Sequence, residues 1–273
     1  MPDEFISRTV YDTGLAGNTL RPYTTNLRVS TKSGEAPSIS SVTWGNLTEG
    51  TAPTSVTPTV GTVAFTLQKS GAIVQVSDEL LEDSALNLGE VLSTAARDSS
   101  GRFLDTAILN GTGAYGGVLQ ASIGSYTAAN AASIVGADVI GLYYDLPANW
   151  IASDGCIFVT QSAVSAAISS INVSSAGAPA IASLNDSPSD WLMGKRHIMN
   201  DNASNGLNAT IATTNVTALF GDFRQVYLFE RNNVTISRDS SRFFDASQIA
   251  YKFEMRSGSK TAIAAAFTKL IQA

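Results

Sequence analysis

The sequence predicts an α+β fold in which two β-rich stretches flank a long helix and a mixed helix-and-strand segment. Three observations carry this. Between residues 28 and 76, β-prone runs (Val29–Thr31, Ser40–Trp44 and Thr62–Val76) alternate with turn clusters at Gly34-Glu35-Ala36-Pro37 and Gly50-Thr51-Ala52-Pro53. The apolar period then changes, with Leu88, Val91, Leu92, Ala95, Ala96, Phe103 and Ala107 falling near one helical face. Toward the C-terminus the period returns to two: Ile249, Tyr251, Phe253 and Met255 alternate with Lys252, Glu254 and Arg256.

Taken in order, the opening residues are polar and glycine-interrupted (Asp12-Thr13-Gly14, Gly17-Asn18-Thr19) and read as an extended arm that gains order by lying on a neighbour. Thr51–Thr62 consists almost wholly of Thr, Ser, Pro, Gly and Val; it has no means of burying a core and should project as a long hairpin. Ser77 can N-cap a short helical turn whose Asp78 and Glu79 suit the helix dipole. The longer helix is expected to start near Ser84 or Asn87 and to end at Asn110-Gly111, spanning roughly 35 Å at about 1.5 Å per residue. Gly111–Ala132 is loop-rich. Ala137–Leu146 reads as a helix stopped by Pro147, Cys156–Val159 as a buried strand, and Thr160–Ile171 as a helix capped by Thr160 or Ser162. The polar run from Asn200 to Asn208 reads as a surface loop. Val226–Glu230 and Val234–Arg238 flank Arg231-Asn232-Asn233, a hairpin signal.

Composition narrows the function. Charged residues make up 15% of the 273, a low share, which points to a surface covered by something else; copies of the chain itself are the simplest candidate. The net charge of −6 argues against a surface built to grip nucleic acid, since that affinity comes mainly from neutralising phosphates. A single cysteine, Cys156, excludes an internal disulfide, and its apolar setting reads as a buried small hydrophobe. The N-terminus shows neither the basic nor the apolar region of a signal peptide, and no run approaches the roughly 18 apolar residues of a membrane helix. A soluble protein made in the cytoplasm, with no membrane partner, is therefore expected.

Chemical motifs are weak. Gly111-Thr112-Gly113-Ala114-Tyr115-Gly116 matches a dinucleotide-binding string, but that mechanism needs a strand before it and a helix after it, and here a helix precedes and a loop follows. The lone His197, between Arg196 and Ile198, has no carboxylate orienter in sequence, and no nucleophile elbow is present. Asp83 with Glu79 or Glu82 reads as dipole-complementing surface charge. Seven Asn-x-Ser/Thr sequons follow from a composition rich in Asn, Ser and Thr. No cofactor, metal or catalytic site is expected, and the chain is not read as an enzyme.

Several short motifs occur in a particular order. Glu49-Gly50 precedes the projecting segment, and Val74 to Ser84 reads Val-x-Val-Ser-x-Glu-Leu-Leu-x-Asp-Ser. Asn110-Gly111-Thr112-Gly113 then leads to Gly117-Val118-Leu119. Leu192-Met193-Gly194-Lys195, Gly221-Asp222-Phe223, Ser237-Arg238-Asp239, Glu254-Met255-Arg256 and Ala266-Phe267 follow. In this order they resemble the major capsid proteins of tailed bacteriophages, the Hong Kong 97-type fold. The resemblance implies an N-arm (1–27), an extended E-loop (28–75), a peripheral domain on a long spine helix (76–132 and 224–273) and an axial α/β domain (133–223). The Gly-Asp-Phe would start the return from the axial to the peripheral domain, and Ser237–Phe244 would be the P-loop near contacts between capsomers.

The function so implied is a structural one: self-assembly into pentamers and hexamers of an icosahedral shell around double-stranded DNA, without sequence-specific binding. Scaffold, portal and decoration proteins are the expected partners besides the chain itself, and the location is the virion capsid, assembled in the host cytoplasm. Candidate assembly contacts are Trp44, Glu49, Lys69, Arg238, Asp239, Arg242, Glu254 and Arg256. Two departures qualify the resemblance. The roughly hundred-residue scaffolding region with which many members begin has no counterpart here, and Met1 favours a separate scaffold or none. The isopeptide crosslink of some members joins an E-loop lysine to a P-loop asparagine, promoted by a glutamate. Glu254 falls at the glutamate position, but Thr62 and Ser247 replace the two reactants, so Glu254 is expected to have a structural or salt-bridge role, with Arg256 as the candidate partner. Two rivals remain: an encapsulin-like nanocompartment shell of the same fold, and a secreted, glycosylated β-rich adhesin.

Overall fold

The computed structural model describes residues 20–39, 49–50, 60–77, 79, 88–171, 191–202 and 204–273. The architecture is α+β, with a long helix between two multistranded sheets and a separate two-stranded sheet. Trp44, most of the Thr51–Thr62 segment and all but Ser77 and Glu79 of the Ser77–Asn87 stretch lie outside the described residues.

The first sheet contains β1 (Thr25–Arg28), β4 (Gln68–Ser77), β11 (Val226–Phe243) and β12 (Gln248–Thr261) in the order β1-β11-β12-β4, and the short β5 (Tyr115–Gly116) pairs with β12 beyond the end of β4. β1 joins the edge in parallel, Thr25 opposite Tyr227 through Arg28 opposite Glu230. The expected hairpin at Arg231-Asn232-Asn233 does not form. β11 runs straight through it, and the register slips between Arg231 (opposite Arg256) and Thr235 (opposite Glu254). Four steps on one strand match two on the other, so the extra residues form a bulge. The turn comes later, in the 3-10 segment Phe244–Ala246 and at Ser247, whose φ is 49°.

Among the described residues, β2 (Ser33–Ile39) and β3 (Val60–Thr66) pair only with each other, Ser33 opposite Thr66 through Ile39 opposite Val60. Leu67 separates β3 from β4, so the expected single run of Thr62–Val76 is two strands in two sheets. Phe65 stacks on Phe229 with ring centroids 4.2 Å apart, which fastens the root of this ribbon to the first sheet.

The helix α1 spans Leu88–Asn110, 23 residues, as the sequence period predicts. Its buried face differs from the expected one. Leu104, Ile108 and Leu109 are in the core, whereas Val91 and Phe103 are 54% and 40% exposed. The chain then doubles back under the helix end. The Gly117 amide donates to the Gly111 carbonyl at 2.9 Å, and a Cβ at Gly117 would sit 2.8 Å from the Asn110 carbonyl carbon. A side chain at Gly117 is thereby excluded.

The other large sheet has six strands: β6 (Gly124–Thr127), β13 (Phe267–Ile271), β10 (Val216–Asp222), β7 (Cys156–Thr160), β9 (Lys195–Met199) and β8 (Trp191–Leu192), in that order. Helices α2 (Gly136–Asp145) and α4 (Ser162–Ser169) cover one face, while the short α3 (Ala148–Ile151) lies between α2 and β7 in the chain. Leu142, Val164, Ile168, Phe158 and Phe220 form one core there, and Phe158 stacks on Phe220 at 4.1 Å. Ile157, Val159, Leu219 and Phe267 point the other way, against Ile108, Leu109 and Leu20. All five residues of β7 are buried, which explains its unbroken apolar sequence.

Two local expectations need correction. Ser162 is the first residue of α4 rather than its cap; its amide donates to Asp201 Oδ1 at 2.7 Å, and Thr160 Oγ1 lies 2.8 Å from His197 Nε2. The polar run 200–208 is not simply a surface loop. Asn200, Asn205 and Leu207 are buried, the Asn205 side-chain amide donates to the Asn200 carbonyl at 2.7 Å, and its oxygen accepts from the Leu207 amide at 2.9 Å. Polar side chains here take the place of a sheet ladder in satisfying buried backbone groups.

Candidate assembly surfaces

Of the sequence-selected residues, Lys69, Glu254 and Arg256 fall on the exposed side of the first sheet, Arg238, Asp239 and Arg242 toward its tip, and Glu49 between β2 and β3 in the chain; Trp44 lies outside the described residues. On β12, alternate residues face opposite ways, so Phe253 is buried while Lys252 and Arg256 are exposed. Glu254 lies between them on the exposed side. Lys69 Nζ on β4 is 2.7 Å from Glu254 Oε1, and Lys252 binds the same oxygen. These two lysines, Lys252 first, hold the Glu254 carboxyl below its usual range. Arg256 has a different neighbour from the expected one: it stands opposite Lys69 and makes no ion pair with Glu254. Strand pairing places Lys69 diagonally across from Glu254, and that geometry decides the partner.

At the far end of β11, Arg238, Asp239 and Arg242 are exposed. Asp239 Oδ1 accepts hydrogen bonds from Ser241 Oγ at 2.7 Å and from the Ser241 amide at 2.8 Å. The Ser241 hydroxyl and then its amide hold the Asp239 carboxyl below its usual range, with Arg242 adding a smaller pull. The Arg242 guanidinium lies 5.4 Å from the Phe243 ring centroid. The tip is therefore a charged, locally preorganised turn. Glu49 is exposed beside Gly50, whose φ is 82°.

Sequence reasoning missed the contacts that organise the interior. Arg21 grips Glu230 in a forked pair, Nε to Oε1 at 3.2 Å and Nη2 to Oε2 at 2.8 Å. Asp105, 1% exposed in the middle of α1, accepts from the Leu20 amide at 3.2 Å and from Asn200 Nδ2 at 3.1 Å. It ties three segments far apart in sequence. Gly221-Asp222-Phe223 ends β10, with Asp222 Oδ1 accepting from the Arg224 amide at 3.0 Å and Phe223 fully buried, and β11 starts at Val226. The motif is thus the junction between the two large sheets.

The chemical inventory is modest. Burial pushes the Cys156 thiol up to about 12, against a smaller opposing pull from Lys195. His197 and Thr160 are both buried within the six-stranded sheet. An open apolar groove of about 470 Å³ runs between α1 (Leu92, Ala95, Ala96, Phe103) and the sheet (Ala72, Val74, Phe253, Met255), without a histidine or cysteine in its lining. Among the described residues no group of three or more His, Cys, Asp or Glu could hold a metal ion, and no helix is long and apolar enough to cross a membrane.

The subunit thus combines a two-stranded ribbon, a charged tip and two large sheets joined at one buried motif. The chain belongs to the phage capsid family, whose model matches residues 1–271. A comparison with curated proteins gives no match. Among solved structures, the capsid of a native GTA particle computed with C5 symmetry is 21% identical, with a TM-score of 0.77 over 94% of this chain and 90% of that one. A chain from Gordonia phage Cozz is 13% identical, with a TM-score of 0.70 over 93% and 86% of the two chains. One from Mycobacterium phage Bobi is 14% identical, with a TM-score of 0.67 over 94% and 91%. The chain is a major capsid protein: its role is structural, its copies assemble into an icosahedral shell, and its place is the virion capsid.

Proposed function

We propose that the shell is built from pentamers and hexamers of this chain and encloses double-stranded DNA that it does not read by sequence. In this reading residues 1–27 are an N-arm, 28–75 an E-loop, 76–132 and 224–273 a peripheral domain, and 133–223 an axial domain. Trp44, Glu49, Lys69, Arg238, Asp239, Arg242, Glu254 and Arg256 contribute contacts between copies. The chain catalyses no reaction. Assembly takes place in the host cytoplasm, with scaffold, portal and decoration proteins as further partners.

The observation that carries this reading is the β2–β3 ribbon. Among the described residues its strands pair only with each other. A lone two-stranded ribbon is marginal in water and gains by lying on another surface. The net charge of −6 suits a wall that holds DNA without adhering to it.

The test replaces residues 51–59, the stretch that precedes β3, by a short Gly-Ser turn. Shortening a loop alters closure entropy by tenths to about one kcal/mol, so the subunit should stay soluble and melt cooperatively. Negative-stain images should show closed shells with fivefold and sixfold capsomers from the parent and none from the variant. Variant shells of normal size and stability would remove residues 28–75 from the assembly machinery.

A further inference from the structure

We propose that the exposed side of the first sheet carries an anion-binding cleft that receives carboxylate side chains from a second copy of this chain. The proposal rests on the shell reading and deepens it by naming the chemistry of one contact. Its basis is a register coincidence. Arg231 on β11 stands directly opposite Arg256 on β12, and Arg256 stands directly opposite Lys69 on β4. Adjacent strands lie about 4.8 Å apart, so three cationic stems leave one face of the sheet within about 10 Å. Lys32, whose carbonyl accepts from the Leu67 amide at 2.8 Å, supplies a fourth. All four line one open cleft of about 540 Å³, and its lining contains no carboxylate.

On that side of β12, Glu254 is already held by Lys69 and Lys252. Among the described residues, Lys32, Arg231 and Arg256 form no ion pair. Like charges directly opposite each other destabilise a sheet, so the lone subunit carries an electrostatic cost that an incoming anion relieves. Two guanidinium groups side by side suit carboxylate, which they bind through paired N–H donors.

Charge balance points to protein as the source of that anion. Taking these four from the 17 basic residues leaves 13 against 23 carboxylates, so the rest of a second copy is strongly acidic. Exposed carboxylates include Glu35 and Glu49, both on the ribbon segment that the shell reading lays across a neighbour. DNA, by contrast, needs a broad basic field that follows many phosphates, and four residues in an acidic chain do not make one.

The experiment compares the full parent chain with an Arg231→Gln/Arg256→Gln double variant and with Arg256→Glu. Unassembled subunits are melted with and without sodium tripolyphosphate, and shell closure is followed by light scattering from low to molar salt. Both variants should melt at or above the parent, and tripolyphosphate should raise the parent's melting temperature only. Their threshold concentration for closure should rise about tenfold at low salt, the loss of one charge-assisted pair, and should vary less with salt than the parent's. Lower melting of both variants would show that the row is satisfied within the subunit, which overturns the proposal. So would closure at the parent's threshold and salt slope. A short DNA duplex retarded by parent but not variant subunits, with closure unchanged, would assign the cleft to phosphate and overturn it equally. If the parent closes no shells, the shell reading fails, while the tripolyphosphate response still decides whether the cleft binds anions.

Discussion

Removing the Arg21–Glu230 pair should release the edge strand β1 at a cost well above that of an ordinary surface ion pair. The fork is bidentate and its side chains are only 20% and 10% exposed. Truncating one partner of a fully buried pair costs about 3–5 kcal/mol, because the other charge is left without a counterion. Arg21 retains some contact with water, so Glu230→Ala should cost about 2 kcal/mol, and Arg21→Ala, which strands the more buried carboxylate, about 3 kcal/mol. The double variant removes both charges of the fork and should cost about 3 kcal/mol, giving a coupling of about 2 kcal/mol. For a chain of this size each kcal/mol moves the melting temperature by about 2 °C, so the single variants should melt about 4–6 °C low. Calorimetry and urea titration of unassembled subunits would measure the cycle, and amide exchange would show protection lost first at Thr25–Arg28, which pairs with β11 alone. Additivity within about 0.5 kcal/mol would refute the reasoning, since it would mean that the two charges do not depend on each other.

Three further outcomes are expected. Cys156, buried and with its thiol pushed up to about 12, should resist alkylation at pH 8 in the folded subunit and react fully in denaturant; rapid labelling of the native chain would contradict its placement in the core. Glu254 has its folded pKa depressed, so the stability it contributes is complete above its unfolded value of 4.5 and is lost as pH falls through the lower folded value. Glu254→Gln should therefore flatten the acid limb of the stability curve below about pH 4.5, and an unchanged acid limb would count against the Lys69–Glu254–Lys252 cluster. If Thr62 and Ser247 replace the reactive pair, as the resemblance implies, shells boiled in detergent should run as a single monomer band, and a ladder resistant to denaturant and reductant would reveal a different reactive pair.

The elements that sequence disclosed are those set by local chemistry. The 3.6-residue period and Asn110-Gly111 located α1, and the unbroken apolar run located β7. The buried face of α1 was not legible, because the helix is apolar on two sides. One side, at Leu104 and Ile108, meets the core, and the other, at Val91 and Phe103, borders an open groove. Arg231-Asn232-Asn233 looks like a turn within a short window, yet both flanking runs find partners on β12, and that pairing turns it into a bulge. The Arg231–Arg256–Lys69 row and the Asp105 junction join residues far apart in the chain. Both depend on register or tertiary approach, which no local pattern encodes. The sequence suggested Arg256 as the partner of Glu254, but the carboxylate's partner was decided by a cross-strand diagonal to Lys69 that the sequence leaves open.

The position of β13 has a consequence for biosynthesis. Phe267–Ile271 is the final strand to leave the ribosome among those described, yet it lies between β6 and β10 and buries Phe267 and Leu270. Until it arrives, β10 lacks its partner on that side and β6 has no partner in the sheet at all. A nascent chain therefore keeps this half of the molecule open until residue 271 has emerged, and a product cut short before residue 267 presents unpaired strand edges to proteases and chaperones.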